Sequence, residues 1–129
     1  MLIGEASKQT GLSTKTIRFY SDLDLIAPRR DPFTGYRSFT EKDLAKLRFL
    51  KKARQLDFSI KDCSELLILY EQPDRASLDV KIIASKKLKE LDAKANELNS
   101  LRNQLKVLVE RCPGDHQSDC PILEALADE

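Results

Sequence analysis

The sequence predicts a mainly α-helical protein in which two short helices and a small β-hairpin precede one long helix. Three observations predict this fold class: capping signals around two short helical segments, a Pro/Gly turn flanked by extended segments, and a heptad pattern of apolar residues between residues 88 and 109. The chain has 129 residues, which is enough for one modest core plus an extended element.

The first two helices are predicted from their ends. Residues 3–10 contain good helix formers, and Gly11 is placed to end this helix in a left-handed conformation. Ser13 is a suitable N-cap for a second helix over residues 14–22. Two short helices joined through a glycine turn indicate a helix-turn-helix, with Ile17 of the second helix pointing inward.

A β-hairpin, or wing, is predicted after these helices. Residues 28–30 and 36–39 are extended, and the Asp-Pro-Phe-Thr-Gly sequence at 31–35 between them is typical of a turn. Thr40 and Ser59 are then placed to cap two further helices. The head of the molecule is therefore expected to span residues 1–72.

The long helix occupies the second predicted segment, residues 73–111. Ser77 is a suitable N-cap and Pro113 prevents helical geometry at the residue before it, so residues 78–111 can form one helix of about 50 Å. Its apolar residues have heptad spacing, with Arg102 filling one position: Leu88, Leu91, Ala95, Leu98, Leu105 and Val109. The chain is too small to cover this seam, so we expect it to pair with the same helix of a second copy.

Charge and composition restrict the classes of function. Residues 1–62 hold 13 Lys/Arg against 8 Asp/Glu, whereas residues 63–129 hold 9 against 13, so a polyanion is expected to dock on the first half. No run approaches the roughly 18 apolar residues of a membrane span, and we expect a cytoplasmic protein with no membrane partner. One histidine and no convergent acid–base set argue against an enzyme.

The third segment, residues 112–129, is predicted to be a metal-binding loop followed by a short helix. Cys112 lies where the long helix ends, and Cys120 precedes Pro121, which favours the first position of a helix. Two thiolates with few other ligands suit Cu(I), or Ag(I) and Au(I), better than zinc, which usually takes four ligands. His116 is expected to be an exposed loop residue, and Cys63 a small core residue.

Motifs along the chain closely resemble the MerR family of transcription regulators. The segments ASKQTGLS (6–13), TIRFY (16–20) and GYR (35–37) carry the resemblance in the head, and CPGD (112–115) with DCPI (119–122) resembles the copper-responsive branch of the family. The sequence departs from the family pattern at three positions: Ser21 stands where Glu is frequent, Asp24 where Gly is common, and Phe39 where Tyr is usual.

The resemblance implies a winged helix-turn-helix DNA-binding head and a set of residues that contact DNA. These are Lys15, Arg18, Tyr20, Tyr36, Arg37 and Arg54. For the two tyrosines the alternative is that their rings complete a small core. The resemblance also implies that Ser77, a Cys in zinc-responsive relatives, helps to select the metal, and that Lys81 of the partner chain supplies a cation near the thiolates.

The implied function is that of a dimeric regulator whose long helices form an antiparallel coiled coil. Such a homodimer is expected to stay on a two-fold operator in double-stranded promoter DNA, and metal binding is expected to distort that DNA so that RNA polymerase can activate copper-efflux genes. Two alternatives remain open. One is a redox-responsive regulator with a Cys112–Cys120 disulfide, and the other is a coiled-coil adaptor that binds only proteins.

Overall fold

The structure, a computed structural model, describes residues 1–128. The elements follow the order α1 (Ile3–Thr10), α2 (Thr14–Asp22), β1 (Arg29–Arg30), β2 (Arg37–Ser38), α3 (Glu41–Gln55), α4 (Ile60–Glu71), α5 (Ser77–Arg111) and α6 (Pro121–Ala127). The strands pair antiparallel, with Arg29 opposite Ser38 and Arg30 opposite Arg37. The mainly helical prediction and the order of its elements are confirmed.

The turn between α1 and α2 has the conformation that the sequence predicts. Gly11 ends α1 with a left-handed backbone (φ 74°), and its N–H donates to the carbonyl of Ser7. The Ser13 hydroxyl accepts from the N–H of Thr16 at 3.1 Å and so caps α2. Lys51 of α3 donates its ammonium to the Thr10 carbonyl at 3.0 Å, which fastens the end of α1 to α3.

Capping boxes begin both α3 and α4. Thr40 pairs with Asp43, and Ser59 pairs with Asp62, each pair exchanging bonds between side chains and backbone N–H groups. The helices bury one apolar core, which contains Ala6, Ile17, Tyr20, Leu25, Ile26, Phe39, Leu44, Leu47, Leu50, Ala53, Phe58, Cys63, Leu66 and Leu67. This core holds α2 and the wing in place.

The long helix α5 begins one residue earlier than predicted. Ser77 is its first helical residue rather than its N-cap. The carbonyl of Ala76, directly before the helix, accepts from the Asp79 N–H at 3.1 Å. Its end at Arg111 agrees with the prediction. Within residues 1–128, no helix is both long enough and apolar enough to cross a membrane.

The contacts of the chain form two compact units that divide inside α5. The first unit, which we call the head unit, spans Met1–Ser85, and the second begins at Lys86. Val80 and Ile83, in the first turns of α5, pack against the head core. These turns therefore belong to the head unit.

Candidate nucleic-acid interface and thiol loop

The exposed face of α2 carries the cations that the sequence singled out. Ser13 caps the N-terminus of the helix, where unpaired N–H groups favour anions. Lys15 and Arg18 are exposed, whereas Ile17 is fully buried against the core. The helix is therefore anchored on its apolar side and presents its basic side to solvent.

The two tyrosines have different environments. Tyr20 is only 4% exposed and belongs to the core. Its ring therefore completes the core, which is the alternative to a DNA contact stated in the sequence analysis. Burial raises the pKa of the Tyr20 hydroxyl, against an opposing effect of the nearby Arg54 guanidinium. Tyr36, in the wing, is 65% exposed and does not complete a core.

Arg37 joins the wing to α2. Its Nη2 donates to the Asp22 carboxylate at 2.6 Å, and its side chain is largely buried. Its Nε is buried and has no hydrogen-bond partner among the described residues. The ion pair therefore fixes the position of β2 relative to the end of α2, a contact that local sequence patterns do not reveal.

Three of the predicted residues line one cleft. Arg18, Tyr36 and Arg37 surround a space of about 400 Å³ together with Gly35 and residues 2–5 at the start of α1. Lys15 and Arg54 do not line this cleft. Arg54 is exposed on α3 and donates to the Phe58 carbonyl at 2.8 Å.

Sequence reasoning missed how the start of the chain forms the cleft. Met1 donates its amino group to the Phe39 carbonyl at 3.0 Å and accepts the Phe39 N–H at 2.7 Å. The start of α1 is thereby held against the end of the wing. Phe39, an aromatic residue directly after the predicted second strand, was the available signal in the sequence. Its residue type predicts burial but does not identify Met1 as its hydrogen-bond partner.

The tip of the wing is a closed turn. The Asp31 carboxylate accepts the N–H groups of Phe33 at 2.8 Å and Thr34 at 3.0 Å. These two bonds lower the pKa of Asp31 from its ordinary value, and the bond from Thr34 has the larger effect. Gly35 has a left-handed backbone (φ 75°), which lets the chain return into β2. The turn leaves the Phe33 ring 96% exposed.

The loop between α5 and α6 has a thiol at each end. Cys112 follows α5 and donates its N–H to the Leu108 carbonyl at 3.2 Å, and Cys120 is the N-cap of α6, with Pro121 next. Both thiols are free and half-buried. His116, inside the loop, is exposed as predicted. In the part of the chain that the structure describes, no three His, Cys, Asp or Glu side chains are grouped so as to hold a metal ion.

The third thiol is in a different environment. Cys63 on α4 is completely buried in the head core, as predicted, and burial raises its pKa. A buried thiol in apolar surroundings is a poor nucleophile and a poor ligand. The chemistry available to soft metal ions therefore resides in Cys112 and Cys120.

The two predicted selectivity residues lie at the start of α5. Ser77 and Lys81 are exposed and line a shallow depression with Pro73, Arg75 and Val80. All five belong to the head unit. The single chain thus leaves the Ser77 hydroxyl and the Lys81 ammonium accessible to another molecule.

Comparison with known families and structures agrees with this architecture. Residues 1–68 match the model described as MerR HTH family regulatory protein, and residues 44–108 match the model described as MerR, DNA binding. The chain belongs to the MerR family. The family resemblance drawn from the head motifs is confirmed, and the chain is a transcription regulator of the helix-turn-helix type.

Members of the MerR family resemble this chain over almost its whole length. The transcriptional regulator HmrR of Rhizobium leguminosarum bv. viciae is 52% identical, with 99% of this chain and 98% of that protein aligned. CueR of Yersinia pestis is 43% identical over 98% of this chain and 91% of its own length. The crystal structure of PbrR691 from Ralstonia metallidurans CH34 in complex with lead(II) superposes with a TM-score of 0.82 and 27% identity, covering 98% of this chain and 99% of that one.

Proposed function

We propose that this MerR-family chain is a Cu(I)-responsive activator of copper-efflux genes that acts as a homodimer on promoter DNA. The observation that carries the proposal is the pair of free, half-buried thiols that bracket one loop, with no third ligand grouped near them in the described residues. The 43% identity to the transcriptional regulator CueR, and the resemblance of the loop sequence to the copper-responsive branch of the family, support the same interpretation of the loop.

The head would bind DNA through the cations and the wing that frame α2. Arg18 and Lys15 lie on the exposed face of α2, where a major groove would receive it, and Arg18 has the geometry for bidentate bonds to guanine or phosphate. Tyr36 and Arg37 would contact the backbone from the wing, and Arg54 from α3. Tyr20, being buried, would act by supporting α2 from beneath.

The donor set fits a monovalent soft ion. Two thiolates from Cys112 and Cys120 satisfy the two-coordinate preference of Cu(I), and equally of Ag(I) or Au(I), whereas a divalent ion requires further ligands. When bound, the ion would leave a net charge of −1 on the site. We assign the compensating cation to Lys81 of the partner, and we assign to Ser77 the exclusion of divalent ions, because its hydroxyl is a weak ligand.

Metal occupancy would act on DNA through the dimer. The seam of α5 would pair antiparallel with its copy, so that two heads address the two halves of a two-fold operator. A change at the loops would then alter how the heads bend and untwist the intervening DNA, which would realign promoter elements for RNA polymerase. The residues that sense metal and the residues that bind DNA are thus different sets.

Metal titration with X-ray absorption tests the ligand set. We expect one Cu(I) per chain with a shell of two sulfur atoms, and little retention of Zn(II). Cys112→Ser and Cys120→Ser should each abolish copper binding, whereas the matched control Cys63→Ala should retain it, because Cys63 lies in the head core. A shell of three or four ligands would contradict the two-thiolate site.

In vitro transcription separates the copper response from the redox alternative. Reduced wild-type protein should activate only when Cu(I) is present, and oxidised metal-free protein should not activate. Activation by oxidant alone would instead establish a Cys112–Cys120 disulfide as the signal. Ser77→Cys provides a further check, because the added thiolate should strengthen zinc binding.

A further inference from the structure

The tip of the wing displays an aromatic ring that the fold does not use. Phe33 is the most exposed of the large apolar residues among residues 1–128, at 96%. An isolated exposed Leu or Val needs no explanation, but a fully displayed Phe exposes a large apolar surface to water. The DNA contacts assigned above do not include this residue.

The turn holds the ring outward. Asp31 accepts the N–H of Phe33 itself at 2.8 Å, and its own N–H donates to the Tyr36 carbonyl at 2.9 Å. The Gly35 N–H closes the turn onto the Asp31 carbonyl at 2.9 Å. These bonds restrict the backbone on both sides of Phe33, so little backbone entropy remains to be lost when the ring binds a partner.

The surroundings of the ring are basic. Arg29 and Arg30 lie on β1 and are exposed, whereas Arg37 on β2 is largely buried and paired with Asp22. The only carboxylate between residues 28 and 39 is that of Asp31, and it faces the backbone N–H groups of its own turn. An apolar ring on a basic hairpin complements a ligand that combines negative charge with apolar surface. Nucleic acid does so through its phosphates and deoxyribose edges.

We infer that Phe33 is a further DNA contact, which packs its ring against deoxyribose edges of the minor groove beside the half-site bound by α2. The inference rests on the proposed function, since it requires the head to bind DNA. Tyr36 and Arg18 line the same cleft, so the wing and α2 address one ligand from the same side. Because such a contact depends on the width and shape of the minor groove, Phe33 adds selectivity for DNA shape outside the bases contacted by α2.

A tryptophan substitution reports the contact directly. The chain has no Trp, so Phe33→Trp creates a single fluorescent reporter at the tip of the wing. The probe is a DNA duplex selected from a random pool by the wild-type protein. On adding it, we expect the Trp emission to change in intensity or wavelength and its quenching by acrylamide to decrease. Unchanged emission and quenching at saturating duplex would overturn the inference.

Affinity measurements with two further variants test whether the contact matters. Phe33→Ala should weaken binding to the selected duplex by about tenfold, because burial of part of an aromatic ring is lost. The slope of affinity against salt should stay that of the wild type, since no phosphate contact is removed. Phe33→Leu should retain most of the affinity. Both variants should unfold thermally like the wild type, because the ring is outside the core.

Arg18→Ala distinguishes failure of this inference from failure of the proposed function. If Arg18→Ala weakens binding and Phe33→Ala does not, the head binds DNA and only the wing-tip contact is wrong. If neither the wild type nor any variant selects a duplex, the proposed function fails and the inference fails with it. If Phe33→Ala binds the duplex normally but activates RNA polymerase less, the ring docks on a protein, which also overturns the inference.

Discussion

Apolar side chains are buried in the head unit but exposed along the second part of α5. In the head, side chains such as Leu44, Leu47 and Leu50 are fully buried within one chain. Along α5, Leu98, Leu105 and Val109 lie at heptad spacing but are more than half exposed, Leu98 by 68%. The head has a complete core of its own, whereas the seam of α5 is open to water in the single chain and would be covered only in the proposed homodimer.

This contrast separates two kinds of stability. A core buried within one chain depends on the sequence of that chain alone, whereas a seam buried between chains depends also on protein concentration. Substitutions in the head should therefore change unfolding, and substitutions in the seam should change assembly. Four predictions test this separation, beginning with the largest expected effect.

Leu98→Glu should convert the proposed dimer into monomers at micromolar concentration. A glutamate at this position would be buried without a partner in both copies of the seam, which costs several kcal/mol. Sedimentation equilibrium measures the assembly. Ser100→Glu is the matched control, because it adds the same charge on the outer face of α5 and should leave the dimer intact. A dimeric Leu98→Glu protein would disprove the assignment of the seam.

Leu47→Ala should destabilise the head by about 2–5 kcal/mol, because it leaves a cavity in a close-packed core. Urea unfolding should be measured in the Leu98→Glu background, so that dimer dissociation does not contribute. Leu56→Ala, half-exposed after α3, should cost less. Equal losses for the two variants would mean that the head core is not closed in the single chain.

Thr40→Ala should destabilise the head by about 1 kcal/mol, because it removes one half of the capping box that begins α3. The same urea measurement applies. Thr40→Ser is the control that keeps the hydroxyl and should recover most of the loss. No change in Thr40→Ala would show that the cap contributes nothing to folding of the head.

The smallest effect concerns the order of the wing tip at low pH. The pKa of Asp31 is lowered in the folded state, so its stabilising bonds are fully present above the ordinary aspartate pKa of about 3.9 and are lost as the pH falls through the lowered value. NMR titration of the Phe33 and Thr34 amides should show their shifts changing below pH 3.9 rather than at it. Asp31→Asn should remove this transition while the head core stays folded.

Sequence patterns predicted most of the architecture because its signals are local. Ser13, Thr40 and Ser59 each cap a helix within three residues of themselves, and Pro121 begins α6 at its own position. The start of α5 lies one residue before the predicted one, at Ser77. The two thiols of the loop could be predicted from their residue type and position, whereas the candidate DNA contacts and the roles of Ser77 and Lys81 came from the family resemblance.

Long-range contacts were not predictable in the same way. The ion pair between Arg37 and Asp22 and the pairing of Met1 with Phe39 join residues far apart in sequence. The burial of Tyr20 depends on helices that follow it by many residues. The exposure of the Phe33 ring depends on the hydrogen bonds that close its turn. The residue type alone does not predict whether a phenylalanine ring is buried or exposed.

The junction of α1 and α2 has a consequence for how this sequence can diverge. A Cβ on Gly11 would lie 2.6 Å from the Lys51 ammonium, and the glycine φ of 74° is itself unfavourable for other residues. The Lys51 ammonium is the end of a flexible side chain and can move aside at the loss of its bond to the Thr10 carbonyl, but the backbone strain at position 11 would stay in place. A change at position 51 therefore does not make position 11 free to vary.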